Sequence, residues 1–138
     1  MTAHAPHGLH CLADLSGVRA ELLIDCAFLE ATLREAVKAA GAQVLFARFH
    51  SFGSGLGVTG VVLLAESHVT IHTWPEARFA ALDIFLCGRA DTARALQALV
   101  GALAPESCRV QNVARGVDDP VPGALAGAPK ISRGASSH

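Results

Sequence analysis

Residues 65–76 read AESHVTIHTWPE, and this stretch brings a serine hydroxyl, two imidazoles, two carboxylates and the only tryptophan of the chain close together. Apolar, β-branched runs flank it on both sides, at Val58–Leu64 and Phe79–Cys87. Runs of this kind predict β-strands. We therefore expect a reactive segment carried between strands of one sheet, which would hold its side chains rigidly.

The polar residues of this segment allow three interpretations. Ser67 could act as a nucleophile with a histidine as its base, if the two side chains lie within hydrogen-bond reach. Alternatively, His68, His72 and Cys87 could bind zinc, which accepts imidazole and thiolate ligands. Residues four apart on a strand share a face but lie about 13 Å apart, so both histidines reach one ion only if the segment bends. The third interpretation is a polar strand whose histidines only pack or face solvent.

The composition indicates one soluble domain. Of the 138 residues, 51% are hydrophobic and 17% are charged, which is enough to build a core. With 11 basic and 12 acidic residues, the chain has no excess of positive charge that would favour nucleic acid or an anionic membrane as a partner. No apolar run reaches the roughly 20 residues of a membrane span, and residues 1–10 lack the apolar core of a signal peptide. We expect a cytoplasmic protein whose four dispersed cysteines are free thiols.

The hydrophobic period predicts two helices and three further strands. Apolar residues recur at helical spacing in 29–40, after the N-cap candidate Asp25, and in 95–103, after Asp91 or Thr92. Further strands are predicted at about 9–15, 43–49 and 108–113. Several consecutive strands separate the two helices, which is typical of an α+β two-layer sandwich, an antiparallel sheet with two helices on one face.

The second face of the sheet needs a cover, because Val58–Leu64 is apolar at nearly every position. A partner subunit is the natural candidate. From Gly116 onward, Pro, Gly, Ala and Ser dominate. The sequence therefore predicts a single domain over residues 1–116 and a disordered tail over 117–138.

Three ordered runs, 57-GVTGVV-62, 66-ESHVTIHTWPE-76 and 82-LDIFLCG-88, resemble the bacterial S-adenosylmethionine decarboxylase proenzymes. These are short pyruvoyl-dependent enzymes of polyamine synthesis, and the weaker parts of the resemblance extend from about residue 8 to about residue 116. The resemblance implies decarboxylation of S-adenosylmethionine to the aminopropyl donor for spermidine. It also implies a homodimer of cleaved protomers, with active sites at or near the subunit contact.

The resemblance further implies a chain that cuts itself. Ser67 Oγ would attack the Glu66 carbonyl, and elimination from the resulting ester would separate a β chain, residues 1–66, from an α chain that begins at residue 67. Loss of ammonia would leave a pyruvoyl group at position 67, so that neither an external cofactor nor a metal is needed. By analogy with the family, His72 and Thr59 assist processing; the family usually has Ser where this chain has Thr59.

In the mature enzyme the pyruvoyl carbonyl would form a Schiff base with the substrate amine and act as an electron sink. The family residue that protonates the substrate carbon after loss of carbon dioxide matches Cys87. A thiol is a plausible acid, since its ordinary pKa of about 8.5 keeps it mostly protonated at neutral pH. Without the resemblance, Cys87 would be interpreted as a small buried hydrophobic residue.

The family pattern assigns substrate binding to an aromatic residue that matches Phe52 and an acidic residue that matches Glu76, which would accept the ribose hydroxyls. Trp74 offers a further stacking surface, and the sulfonium favours an aromatic face. This chain departs from the family pattern after Phe52, where residues 53–56 read GSGL with no proline and one extra residue. It also departs near the start, where the family commonly has a basic residue beside Gly-Xaa-His and this chain has Gly8, Leu9 and His10. The alternatives are therefore a pyruvoyl-dependent arginine or ornithine decarboxylase and, less favoured by the intact 66–67 motif, a regulatory relative that does not cleave.

Overall fold

The computed structural model describes residues 6–117 of the 138-residue chain. Six strands and three helices make up this part: β1 (His7–Ser16), α1 (Ala20–Leu23), α2 (Cys26–Ala39), β2 (Phe46–Ser51), β3 (Val58–Leu64), β4 (Ser67–Trp74), β5 (Phe79–Cys87), α3 (Thr92–Leu103) and β6 (Ser107–Gly116). A short 3-10 turn, Pro75–Ala77, joins β4 to β5. The tail predicted for residues 117–138 lies outside the described residues apart from Val117.

One antiparallel sheet contains all six strands, in the order β2-β3-β4-β5-β1-β6. The helices α2 and α3 contact each other and pack against one face of the sheet. The predicted α+β two-layer sandwich is confirmed. Cleavage into two chains is a separate matter, which the fold does not test.

The two long helices begin at aspartate caps. The Asp25 carboxylate accepts a hydrogen bond from the Phe28 N–H at 2.9 Å, and the Asp91 carboxylate accepts one from the Arg94 N–H at 3.1 Å. These bonds satisfy N–H groups that have no partner within the helix. Of the two candidates for the second cap, Asp91 is the one that caps α3.

Two features differ from the sequence prediction. The second strand covers Phe46–Ser51 rather than 43–49, because Gln43 to Leu45 form the connection that leaves α2. The four-residue helix Ala20–Leu23 was not predicted, and it has no side-chain cap and too few residues to show a period. It closes over the end of the sheet next to the Pro75–Ala77 turn.

Burial alternates strictly along the central strands. On β4, Val69, Ile71 and Thr73 are buried under the helices, whereas the residues between them are not. Side chains on successive residues of a strand point to opposite faces, so the second set forms the face away from the helices, which we call the open face. The open face carries Thr59, Val61 and Leu63 from β3, His68, Thr70, His72 and Trp74 from β4, and Ala81, Asp83, Phe85 and Cys87 from β5.

The open face has apolar side chains that no other element of the described chain covers. Leu63 is 43% exposed, and Phe46 on the edge strand β2 is 52% exposed. No helix within residues 6–117 is long and apolar enough to cross a bilayer. The cytoplasmic location stays a prediction.

Candidate active site

The Glu66–Ser67 peptide lies at a tight turn between two strands. β3 ends at Leu64 and β4 begins at Ser67, and these two residues pair directly, so that only Ala65 and Glu66 form the turn. Glu66 has a φ of 62°, in the left-handed region that a residue with a β-carbon avoids. Such a conformation costs about 1–3 kcal/mol and persists only where the surrounding structure enforces it. The peptide that self-cleavage would break therefore follows a strained residue.

Cys87, the last residue of β5, contacts both sides of this peptide. Its thiol donates a hydrogen bond to the Glu66 carbonyl oxygen at 3.0 Å, and its backbone N–H donates one to Ser67 Oγ at 3.0 Å. A donor on a carbonyl oxygen draws electron density from the carbonyl carbon and stabilises negative charge that develops on the oxygen. Three residues predicted from the sequence are thus brought together in one arrangement that favours attack on the Glu66 carbonyl.

A pocket of about 380 Å³ opens beside this peptide, with Gly8, Glu66, Phe85, Cys87, Arg115 and Gly116 among its lining residues. The guanidinium of Arg115 lies 5.7 Å from the centre of the Phe85 ring and 3.4 Å from His10 Nδ1. Sequence reasoning missed Phe85 and Arg115 as pocket residues. Arg115 lies on β6, far along the chain from the reactive segment, and only the pairing of β6 with β1 brings it here.

Thr59 and His72 form a second group. They are directly paired across β3 and β4, and Thr59 Oγ1 lies 3.0 Å from His72 Nδ1. His72 is five residues further along β4 than Ser67, a distance of about 17 Å at 3.3 Å per residue. Within one protomer, therefore, the predicted processing pair does not meet the predicted nucleophile.

The three predicted substrate-binding residues lie at the His72 end of the sheet. The Trp74 ring is 6.3 Å from the His72 ring and 5.6 Å from the Phe79 ring. Glu76 lies in the 3-10 turn that follows Trp74, and Phe52 follows the end of β2, where its ring packs edge-on against His50 at 4.8 Å. All three side chains are exposed, so this end of the open face offers aromatic surface and a carboxylate.

Thr73 anchors this end from the buried side, a role that sequence reasoning missed. Its hydroxyl accepts a hydrogen bond from the Val58 N–H at 2.8 Å and donates one to the Leu23 carbonyl at 2.7 Å. The first bond fixes the start of β3, next to Thr59. The second ties α1 to β4. The only signal in the sequence was a threonine between His72 and Trp74, which does not by itself distinguish a buried hydroxyl from an exposed one.

His68 belongs to a cluster in the middle of the open face. Its ring lies 6.0 Å from the His10 ring and 5.7 Å from the Phe85 ring, and His10 Nε2 lies 3.8 Å from an Asp83 carboxylate oxygen. Burial, with a smaller contribution from His10, lowers the pKa of His68 below its ordinary value, although Asp83 opposes the shift. Within residues 6–117, no group of three or more His, Cys, Asp or Glu side chains is placed to hold a metal ion.

Known proteins resemble this chain over nearly all of its described length. The family model for S-adenosylmethionine decarboxylase matches residues 9–116. The S-adenosylmethionine decarboxylase proenzyme of Methanococcus maripaludis is 41% identical over 111 residues, which cover 80% of this chain and 90% of the relative. The proenzyme of a Sulfurihydrogenibium species is 42% identical over 111 residues, covering 80% and 83%.

Among solved structures, the crystal structure of the adenosylmethionine decarboxylase from Aquifex aeolicus aligns with a TM-score of 0.76 at 36% identity. The alignment covers 86% of this chain and 98% of that one. Sequence and fold thus agree over the same region, which includes the strained turn, Cys87 and the Thr59–His72 pair. The chain belongs to the S-adenosylmethionine decarboxylase family, in its short prokaryotic form.

Proposed function

We propose that this chain is an S-adenosylmethionine decarboxylase that is synthesised as a proenzyme, and that its product serves as the aminopropyl donor in spermidine synthesis. Membership of the family supports the reaction and the substrate. The observation that carries the chemistry is the pair of hydrogen bonds from Cys87 to the Glu66 carbonyl oxygen and to Ser67 Oγ, both at 3.0 Å. They lie beside a pocket that is large enough for the amino-acid end of the substrate.

The proposed self-cleavage has three steps, which this arrangement supports. Ser67 Oγ attacks the Glu66 carbonyl carbon while its hydroxyl proton passes to the nitrogen of residue 67, so that the peptide C–N bond breaks and an ester and a free amine form. The Cys87 thiol stabilises the negative charge that develops on the carbonyl oxygen. Loss of the Ser67 α-proton then breaks the bond between Oγ and Cβ of residue 67, which releases residues 1–66 with a Glu66 carboxylate and leaves dehydroalanine at position 67. One water finally displaces the nitrogen of residue 67 as ammonia, and a pyruvoyl group remains.

The residues around position 67 fit a pyruvoyl group. The Cys87 N–H that donates to Ser67 Oγ could donate equally well to a carbonyl oxygen, and the pocket opens directly beside it. A pyruvoyl group there would supply an electrophilic carbonyl that draws electrons from the substrate carbon as its carboxyl group leaves. The Cys87 thiol lies at the same place and would deliver the proton that replaces the carboxyl group.

A second copy of the chain would complete the site. Thr59 and His72 lie on the open face but about 17 Å from Ser67. Two sheets packed with open face on open face, and related by a two-fold axis, can bring the His72 end of one protomer to the Ser67 end of the other. This packing also buries the exposed Leu63 and Phe46. We therefore propose a homodimer in which each active site contains residues from both protomers.

The first test compares the wild-type chain with Ser67→Ala and uses Ser107→Ala as a matched control. Ser107 is an exposed serine at the start of β6, the opposite end of that strand from the pocket residue Gly116. Mass spectrometry should find fragments 1–66 and 67–138 for the wild type and the control, and an uncleaved Ser67→Ala chain. Carbon dioxide release should be fastest from carboxyl-labelled S-adenosylmethionine and absent in Ser67→Ala.

Two outcomes would contradict this proposal in different ways. Preference for arginine or ornithine would keep the pyruvoyl chemistry but replace the substrate, which would place the cause in the altered loop after Phe52. A wild-type chain that stays uncleaved and releases no carbon dioxide would instead indicate a regulatory relative without enzymatic activity.

A further inference from the structure

Gly8 lies opposite the proposed proton donor and has no backbone reason to be a glycine. It is the second residue of β1 and pairs directly with Cys87 of β5. Its φ is not among the positive values that require glycine, in contrast to Gly41 or Gly88. A glycine within a strand weakens the strand, and it often marks a place where another group approaches closely.

A side chain at Gly8 would collide with the groups that do the chemistry. An added β-carbon would lie 2.9 Å from Cys87 Sγ, 2.9 Å from a carbon of the Phe85 ring and 2.9 Å from the Leu86 carbonyl oxygen. Contacts of carbon with carbon or sulfur normally begin at roughly 3.5 Å, so the thiol or the ring would have to move by more than half an ångström. The Leu86 carbonyl belongs to the sheet backbone and cannot yield as a side chain can.

Other glycines in the sheet do not contact the proposed proton donor. A β-carbon at Gly60 would enter the Phe49 ring, and one at Gly116 would enter the backbone of Pro6 and His7. Those two glycines allow close packing within the protomer. At Gly8 the missing side chain instead leaves space in the pocket beside Glu66 and Cys87.

We propose that Gly8 is a positioning residue for Cys87. Because Gly8 carries no side chain, the thiol stays on the Glu66 carbonyl oxygen during self-cleavage and reaches the substrate carbon in the mature enzyme. This inference rests on the proposed function, since it assigns Cys87 the two roles given above. The inference adds Gly8, on β1, to the proposed site. Gly8 acts only because the absence of a side chain leaves room for the Cys87 thiol.

The test uses Gly8→Ala, Cys87→Ala and the double variant, with Gly101→Ala as the control. Gly101 lies in α3, and an added β-carbon there meets no atom within 4 Å. Self-cleavage is timed by mass spectrometry after cell-free synthesis. Gly8→Ala should lengthen the half-time about 10-fold or more, because displacements of this size carry large kinetic penalties, and Gly101→Ala should leave it unchanged. In the Cys87→Ala background, where the displaced sulfur is absent, adding Gly8→Ala should lengthen the half-time several-fold less than it does in the wild-type background, because only the contacts with the Phe85 ring and the Leu86 carbonyl remain.

Two further readouts separate positioning from simple packing. In processed enzyme, Gly8→Ala should lower kcat about 10-fold or more. Its KM should stay within about 3-fold of the wild-type value, since the added β-carbon meets Cys87, Phe85 and Leu86 and none of the proposed substrate-binding residues. In the uncleavable Ser67→Ala chain, Gly8→Ala should lower Tm by about 4–8 °C. Cys87→Ala should restore part of that loss, because the contacts with the Phe85 ring and the Leu86 carbonyl remain.

An equal slowing of cleavage by Gly8→Ala with and without the Cys87 thiol would overturn the proposal, as would cleavage at the wild-type rate. The Tm comparison needs no activity, so it decides the contact between Gly8 and Cys87 even if Cys87→Ala cleaves too slowly to time. A wild-type chain that cleaves but releases no carbon dioxide would refute the proposed function. The cleavage and Tm comparisons would still judge Gly8.

Discussion

If Ser67 of one protomer works with His72 of the other, two inactive chains should restore each other in a mixed dimer. Ser67→Ala lacks the proposed nucleophile but keeps Thr59 and His72, whereas His72→Ala lacks the proposed processing residue but keeps Ser67 and Cys87. About 17 Å of β4 separates the two positions in one chain, which no side-chain movement can span. Each chain alone should therefore form dimers with no complete site.

The expected recovery follows from the two-fold symmetry. In a dimer with one chain of each kind, one site combines the native Ser67 with the native His72, and the other site carries both substitutions. Such a dimer should release carbon dioxide at about half the wild-type rate per dimer, because its one Ser67-bearing chain can cleave and only the site of that chain is complete. Co-expression with two different affinity tags and sequential purification isolates the mixed dimer for the assay.

A matched pair of variants provides the control. Ser67 and Cys87 touch within one protomer, so mixing Ser67→Ala with Cys87→Ala leaves both sites of the dimer defective. That mixed dimer should release carbon dioxide at less than a few hundredths of the wild-type rate, because loss of the Cys87 thiol removes the proposed general acid. Recovery in the control pair, or none in the Ser67→Ala and His72→Ala pair when both tags are present, would refute the two-protomer site.

Two other predictions concern stability. Thr73→Val should lower the free energy of unfolding by about 1–3 kcal/mol in urea titrations, because it leaves the Val58 N–H and the Leu23 carbonyl without their buried partner. Thr73→Ser keeps the hydroxyl and should recover most of the loss. An equal loss in both variants would contradict the hydrogen-bond explanation. Burial lowers the pKa of His68 in the folded chain, so at acidic pH the unfolded chain binds more protons than the folded chain. The free energy of unfolding should therefore be highest above about pH 6.5 and fall as the pH drops below that value. His68→Gln should flatten that fall when Tm is compared between pH 7.5 and 5.5, and an unchanged slope would assign the acid sensitivity to other groups.

The elements of the fold could be predicted because their signals are local. The limits of β3 and β5 coincide with the apolar runs in the sequence, and Asp25 and Asp91 cap the helices as residue type and spacing indicate. The second strand was displaced by about three residues because the apolar run leaving α2 continues into the connection. Short elements such as α1 depend on tertiary contacts with the sheet end, which no local pattern records.

The candidate site could be predicted only where its residues are contiguous or belong to the family motif. Glu66, Ser67 and Cys87 follow from the motif, and the structure brings them within hydrogen-bond distance. The five-residue spacing between Ser67 and His72 was visible in the sequence. That the two side chains do not meet within one protomer depends on β4 being straight, which the sequence does not show. Gly8 and Arg115 come from the two ends of the domain, and their place in the pocket is set by strand pairing over separations that the sequence does not encode locally.

The division of the site along β4 also bears on how substrate preference can change. Cys87 and position 67 lie at one end of the sheet, whereas Phe52, Trp74 and Glu76 lie at the other end together with His72. In the proposed dimer, one protomer would thus supply the reacting groups and its partner the surface that recognises the rest of the substrate. The altered loop after Phe52, with its one extra residue, falls entirely in the second set, so this loop can vary while the groups proposed to cleave the chain and protonate the product keep their geometry. A change of loop sequence alone should therefore alter KM for S-adenosylmethionine before it alters self-cleavage.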